Sequence, residues 1–217
     1  MKILITTGPS AVPIDEMRVL TNISSGQTGT ALSHYFSQRG HEVICLRGKG
    51  ARAELPPKGV LTQEFKDNDH LLELLKDLSM RFSADAILHS AALSDFVLDY
   101  ITDAEGRRIV AKKIPSRING IRLVLKPAPK ILPQLPHLWP SARIVGWKYE
   151  LDGDHDSAVA AAIQQVRDSQ THFVVVNGTA YGRGFGICNA ERQLDHAPDL
   201  LVLAQRLENH LSTPLKK

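Results

Sequence analysis

Cysteine is scarce in this sequence. Only Cys45 and Cys188 occur in 217 residues, far apart and without a ligand motif beside either. That excludes a disulfide framework and a zinc knuckle, and it fits a reducing cytoplasm. Long apolar runs are also missing. No stretch approaches the roughly 18 to 20 residues that cross a bilayer, so no membrane partner is expected. The opening MKILITTGPS lacks the long apolar core and small-residue cleavage site of a signal peptide. Aromatics make up 6%. With so few, and no recognition motif, no nucleic-acid partner is expected.

Several catalytic signatures are absent too. The first strand is followed by TTGPSAVPID rather than a GxGxxG turn, and there is no GxxxxGK[ST] loop. No tyrosine has a lysine four positions later, and no Gx[SC]xG elbow presents a nucleophile. The nine histidines are scattered without ligand spacing. One further absence is local. From Gly106 to Tyr149 there is no Asp or Glu, while ten Lys and Arg fall in that stretch. Such a segment is either a solvated face or a positive field for phosphates.

What is present alternates. Short apolar runs at 2–7, 42–46, 85–89, 142–147 and 172–177 read as strands. Helical spacing appears at 28–39, around Leu71–Leu78, around Val159–Val166 and at 198–210, with a short helix starting near 129–135. This rhythm predicts an α/β fold: a Rossmann-like, mostly parallel sheet with helices on both faces. Two adjacent strands, 107–113 and 121–125, joined by the turn SRING, break the rhythm and predict an inserted β-hairpin flap. The length suits a single domain over 1–211, with a frayed tail at 212–217.

Open parallel sheets bind ligands beyond the carboxyl ends of their strands. That brings together the loops 8–18, 21–29, 90–96, 146–150 and 177–186. Within them TNISSGQTG, residues 21–29, carries two glycines, two amides and several hydroxyls, but no lysine. Its Ser24, Ser25, Gly26 and Gly29 lie at a loop-to-helix junction, where backbone N–H groups cradle anions.

Taken together, ITTGPSAVPIDEMRVLTNISSGQTG (5–29), AALSDF (91–96), KIPS (113–116), PKIL (129–132), GWKYE (146–150), VVVN (174–177) and GFG (184–186) resemble phosphopantothenoylcysteine synthetase, the phosphopantothenate–cysteine ligase of coenzyme A biosynthesis. The order of the motifs holds over nearly the whole chain. The resemblance implies a stand-alone ligase domain. It would activate 4'-phosphopantothenate as an acyl-nucleotidylate with CTP or ATP and Mg²⁺, then couple it to cysteine, as a cytoplasmic homodimer. A nucleotide-binding relative without ligase activity is the alternative.

The resemblance also implies roles for particular residues. Asn22 would grip the pantothenate carboxylate or the acyl intermediate, against the competing reading of a helix cap. Arg18 would offer its fork to a carboxylate or phosphate, against an ion pair with Asp15. Lys113 would lie on a mobile flap and neutralise transition-state charge. Gly8, Ser24, Ser25, Gly26, Ser90, Ala91, Ala92, Asp95, Phe96, Pro129, Lys130, Ile131, Leu132 and Trp147 would hold the nucleotide. Asp95 would contact Mg²⁺, against a helix-cap reading, and Trp147 would stack on the base unless it is a core aromatic. Departures stand at Gln27, Gln165 and Ser169, where many relatives carry lysines, and at Gly178 within Asn-Gly in place of Asn-Asp.

Overall fold

The structure is a computed structural model that describes residues 1–213. In chain order its strands are β1 (Lys2–Thr7), β2 (Ala11–Pro13), β3 (Val19–Thr21), β4 (Glu42–Gly48), β5 (Leu61–Phe65), β6 (Ala86–His89), β7 (Phe96–Asp103), β8 (Arg108–Ile109), β9 (Ile121–Pro127), β10 (Arg143–Tyr149), β11 (Phe173–Asn177), β12 (Phe185–Cys188) and β13 (Leu194–Ala197). The helices are α1 (Gln27–Gln38), α2 (Asn68–Arg81), α3 (Leu135–Leu138), α4 (His155–Ser169) and α5 (Leu200–Ser212), with a 3₁₀ turn at Leu132–Gln134.

Eight strands form one sheet, in the order β13-β12-β11-β10-β6-β1-β4-β5. The run from β11 to β5 is parallel, and β12 and β13 add an antiparallel edge. Ile3, Leu4 and Ile5 in succession have no exposed surface. Both faces of β1 are therefore covered, as its unbroken apolar run predicts. On one face Leu32 and Phe36 of α1 meet Leu203 and Leu207 of α5. On the other, Leu71 and Leu75 of α2 pack with Leu135 of α3, while Ala158, Ala162 and Val166 of α4 cover Val174 and Val176. Each such large apolar side chain contributes about 1.5–3 kcal/mol on burial.

The chain runs from β1 outward to β4 and β5, then returns to place β6 on the other side of β1. The direction of winding thus reverses between β1 and β6, and the crevice beyond their carboxyl ends is the expected ligand position.

The inserted flap is present, but its strands differ from expectation. Phe96–Asp103, read as a loop end, is the central strand of a three-stranded antiparallel sheet ordered β8-β7-β9. The tight turn lies at 103–107, not at SRING. The Asp103 carboxylate accepts from the Glu105 and Arg107 N–H groups, and Gly106 has φ +86°. Residues 110–120 leave the sheet altogether. Helix α5 continues to Ser212, where the tail was expected to begin; residues 214–217 of that expected tail lie outside the described residues.

Candidate active site

The loops after β1 and β6 are zipped together. Ser90 N–H donates to Thr6 O, Ala92 N–H to Gly8 O and Ser10 N–H to Ala92 O. The buried Ser10 hydroxyl accepts from Ser94 N–H at 2.8 Å, and its carbonyl accepts from the Thr21 hydroxyl at 2.8 Å. Onto this seam comes Asn22. Its amide donates to Ala92 O at 3.3 Å and to Leu93 O at 2.9 Å. Asn22 does not cap α1, because Gly26 holds that position with φ 80°.

Helix α1 begins differently from the other long helices. Asp67, Asp154 and Asp199 cap α2, α4 and α5 through their side chains, whereas α1 has no side-chain cap and no acid in its first turn. Orphan N–H groups at such a terminus, with the helix dipole behind them, favour an anion. Only glycine fits the approach to this end. A Cβ on Gly8 would lie 2.7 Å from the Ala51 methyl, and one on Gly26 would lie 3.0 Å from it. Gly29 leaves no room for a Cβ beside Thr7 and Ser90. The Ser25 hydroxyl oxygen accepts from Gln27 N–H at 3.2 Å, and the Ser25 carbonyl accepts from Arg52 and Ala53 N–H. Ser24 is half-buried in the same loop.

Beside the seam lies a cavity of about 560 Å³. Its walls are Ala91 and Leu93–Asp95 after β6, Pro129–Pro133, Trp147 and Lys148 of β10, and Ala161, Gln164, Gln165, Asp168 and Ser169 of α4, with Asn68 and His89 completing it. Of the expected nucleotide set, Ala91, Asp95, Pro129, Lys130, Ile131, Leu132 and Trp147 line this cavity. Gly8, Ser24, Ser25, Gly26, Ser90 and Ala92 instead form the zipped loops and the α1 terminus, and Phe96 opens β7, half-exposed.

Trp147 packs in the core cluster on the α1 and α5 face, and its indole N–H is buried without a partner. Only its border with the cavity is available to a ligand. His89 is buried, with Nδ1 and the Thr6 hydroxyl sharing a hydrogen bond of 2.7 Å. Burial pushes its imidazole down to about 4, so it is neutral. Gln165 donates its amide to Trp147 O at 3.1 Å, which ties down the position where relatives carry a lysine. Ser169 borders the same space, and Gln27 is exposed at the start of α1. At Gly178, φ is +114° and a Cβ would overlap the Glu150 carbonyl, so an aspartate does not fit there.

Sequence reasoning missed Lys148, Gln164, Asp168, His89 and Asn68. Lys148 was legible: Ile144 packs with the α2 and α3 side chains, Gly146 meets Leu132 and Gln165, and strand alternation puts 148 on that same face of the sheet. It pairs with Glu150 at 3.0 Å.

Half of the basic segment is matched by acids from outside it: Arg107, Lys112, Lys126, Lys130 and Lys148. Lys126 meets Asp99 at 3.1 Å, Arg107 meets Asp103 at 2.7 Å, and Lys130 meets Asp95. Lys113, Arg117 and Arg122 have no carboxylate partner among the described residues; nor do Arg108, which lies over the Tyr100 ring, and Arg143, which donates to backbone carbonyls. Arg18 donates to Asp15 Oδ2 at 3.0 Å and to Ile114 O at 3.3 Å, so the ion-pair reading of this arginine is realised. No group of three or more His, Cys, Asp or Glu stands together among the described residues. A divalent ion at Asp95 would therefore need ligand oxygens from phosphates and water, a donor set that suits magnesium.

Comparison with known proteins bears on the family and the fold. The profile of the DNA/pantothenate metabolism flavoprotein C-terminal domain matches residues 1–197. The coenzyme A biosynthesis bifunctional protein CoaBC of Thermococcus kodakarensis is 30% identical over 177 residues, 81% of this chain and 41% of that protein. Its counterpart in Bacillus subtilis is 26% identical over 205 residues, 94% of this chain and 48% of that one. The chain thus spans less than half the length of these curated relatives. The solved DNA/pantothenate metabolism flavoprotein from Streptococcus pneumoniae superposes with a TM-score of 0.84 at 24% identity, covering 97% of this chain and 98% of that one. A Cab2 mutant in complex with phosphopantothenate-cysteine gives 0.69 at 17% identity, covering 97% and 88%. At those identities the likeness is one of fold. The matched region runs from the first strand to the end of the last, and the chain belongs to the DNA/pantothenate metabolism flavoprotein C-terminal domain family.

Proposed function

We propose that this chain joins 4'-phosphopantothenate to cysteine at the expense of a nucleoside triphosphate. The observation that carries the reading is the seating of Asn22 on the Ala92 and Leu93 carbonyls, between the α1 terminus and a cavity of nucleotide size. In the first step a pantothenate carboxylate oxygen attacks the α-phosphorus of CTP or ATP. The bond to the β-phosphate breaks and pyrophosphate leaves. In the second, the cysteine amine attacks the acyl carbon, the acyl–phosphate bond breaks, and the nucleoside monophosphate departs with its electron pair. The amine sheds a proton to solvent.

Neither step needs a strong base. Both need anions held in line in a site with little water. Asn22 would orient the carboxylate without adding negative charge. The first turn of α1, with Ser24, Ser25 and Gly26, would receive a phosphate. Lys113 would approach from its exposed loop and offset charge on the nucleotide. Arg18 would act from the end of β3, through its contacts to that loop. Ala91, Pro129 and Leu132 would bound the base. Magnesium, when bound by Asp95 and phosphate oxygens, would withdraw charge from the reacting phosphate. Lys130 holds that carboxylate in the free protein, so the pair must part.

A homodimer and a reducing cytoplasm belong to the same proposal. Phe96, Val110, Ile121 and Leu125 leave apolar surface exposed around the three-stranded flap, which a second copy would cover. Both cysteines are free and buried. Among the described residues no helix is long and apolar enough to cross a membrane. The deciding assay is pyrophosphate release from phosphopantothenate and cysteine with Mg²⁺, run in parallel with CTP and ATP. Release that requires both acceptor substrates supports the ligase. Silence with both nucleotides, in protein that still binds one, supports the inactive relative.

A further inference from the structure

The loop that carries Lys113 is attached to the body at one place. Residues 110–112 and 115–117 are exposed, and Ile114 is buried, at 2% exposure. Every described hydrogen bond from residues 110–117 to a distant part of the chain goes to the turn between β2 and β3. Glu16 N–H donates to Lys112 O at 2.9 Å. Ile114 N–H donates to Asp15 Oδ2 at 3.0 Å, and Ile114 O accepts from Arg18 at 3.3 Å. Lys113 therefore sits between two residues whose backbones are held.

The clip converges on one carboxylate. Asp15 Oδ2 takes both the Ile114 N–H and the Arg18 guanidinium, each at 3.0 Å, and Oδ1 takes Met17 N–H at 2.8 Å. Its side chain has no exposed surface, whereas that of Arg18 is 42% exposed. The same ribbon ends in Asn22. Arg18 and Asn22 flank β3, about 13 Å apart along an extended chain and on the same face of it. One short ribbon thus carries Asn22 at one end and grips the lysine loop at the other.

We propose that Asp15 is a positioning residue: by holding Ile114 and Arg18 together it sets where Lys113 stands relative to Asn22. The proposal rests on the ligase reading. It assigns Asp15 no contact with substrate, and its effect on the reaction passes through Lys113.

That dependence makes the test. Asp15→Ala, Lys113→Ala and the double variant are compared with the wild-type protein in pyrophosphate release. Trypsin, which cuts after Lys112, Lys113 and Arg117, reads the loop separately. Asp15→Ala is expected to lower kcat on the order of a hundredfold, the scale of a 1 Å misplacement, with KM for the nucleotide moved by less than about twofold. Cutting at Lys113 should speed up on the order of tenfold as the loop opens locally. In the Lys113→Ala background, removing Asp15 should cost no further activity, because both changes remove one function. Asp15→Asn, which keeps an oxygen for Ile114 N–H, should fall between; it also serves if the alanine variant does not fold. Losses that multiply in the double variant overturn the proposal, as do unchanged trypsin rates. A wild-type protein silent with both CTP and ATP removes the ligase reading instead, and trypsin alone then decides whether the clip exists.

Discussion

Asn22 and Leu93 lie 71 positions apart in sequence, and the amide of one donates to the carbonyl of the other at 2.9 Å. The same amide reaches Ala92 O. An aspartate here would present two acceptors to two acceptors. Asn22→Asp should therefore reduce pyrophosphate release at least on the order of a hundredfold. The two lost hydrogen bonds, at about 1 kcal/mol each, should lower the melting temperature by only about 4–8 °C. A large loss of activity beside a small thermal shift would separate the chemical role from folding; equal collapse of both would refute it.

Gly29 sits in the first turn of α1 against Thr7 and Ser90, with no space for a methyl group. Gly29→Ala should force the helix start away from β1 and cost about 1–3 kcal/mol, the usual range for overpacking. Urea unfolding measures this directly. Gly59, whose Cβ would meet nothing, is the contrast, although its φ of +105° carries a strain of its own.

Glu208 on α5 accepts from the Tyr35 hydroxyl at 2.7 Å, from His41 Nε2 at 2.9 Å and from Arg39 at 3.1 Å. Burial alone pushes this carboxyl up. The hydrogen bonds from His41, Tyr35 and Arg39, with the charge of Arg39, outweigh it and bring it down to about 2. In the unfolded chain the group titrates near 4.3. Because the folded value is the lower one, its stabilisation is complete above about pH 5 and drains away as pH falls toward 2. Thermal melts between pH 5 and pH 2 should show this decline, and Glu208→Gln should flatten part of it. An identical acid limb in both proteins would count against the assignment.

Cys45 and Cys188 have no exposed surface, and burial pushes both thiols up to about 11. Thiolate is the reactive form, so neither should react with a disulfide reagent at pH 8 in the native protein, and both should react in denaturant. Rapid native labelling of either would contradict the packing of the sheet.

Much of the sheet was legible in one dimension. The run Ile3–Ile5 is apolar without alternation, and burial on both faces requires that. Leu71, Leu75 and Leu78 keep helical spacing because one face of α2 meets the core. The flap was less legible. Phe96–Asp103 follows a motif that resembles a binding loop, and its partners lie at 108–109 and 121–127. Nothing local distinguishes that pairing from a hairpin across SRING, since strand pairing is a property of two segments rather than of one.

By itself the sequence determined the alternation of strand and helix, the glycines at the α1 terminus and the residue types of the anion-binding loops. These follow from local propensity and from burial period, which neighbours in the chain already encode. Only the tertiary structure decided that Trp147 turns its ring to the core, that Lys130 occupies Asp95, and that Asp15 and Arg18 hold the loop of Lys113. A carboxylate or an indole has several partners of equal chemical merit, and the winding of β1 and β6 about their shared crevice selects which one lies within reach.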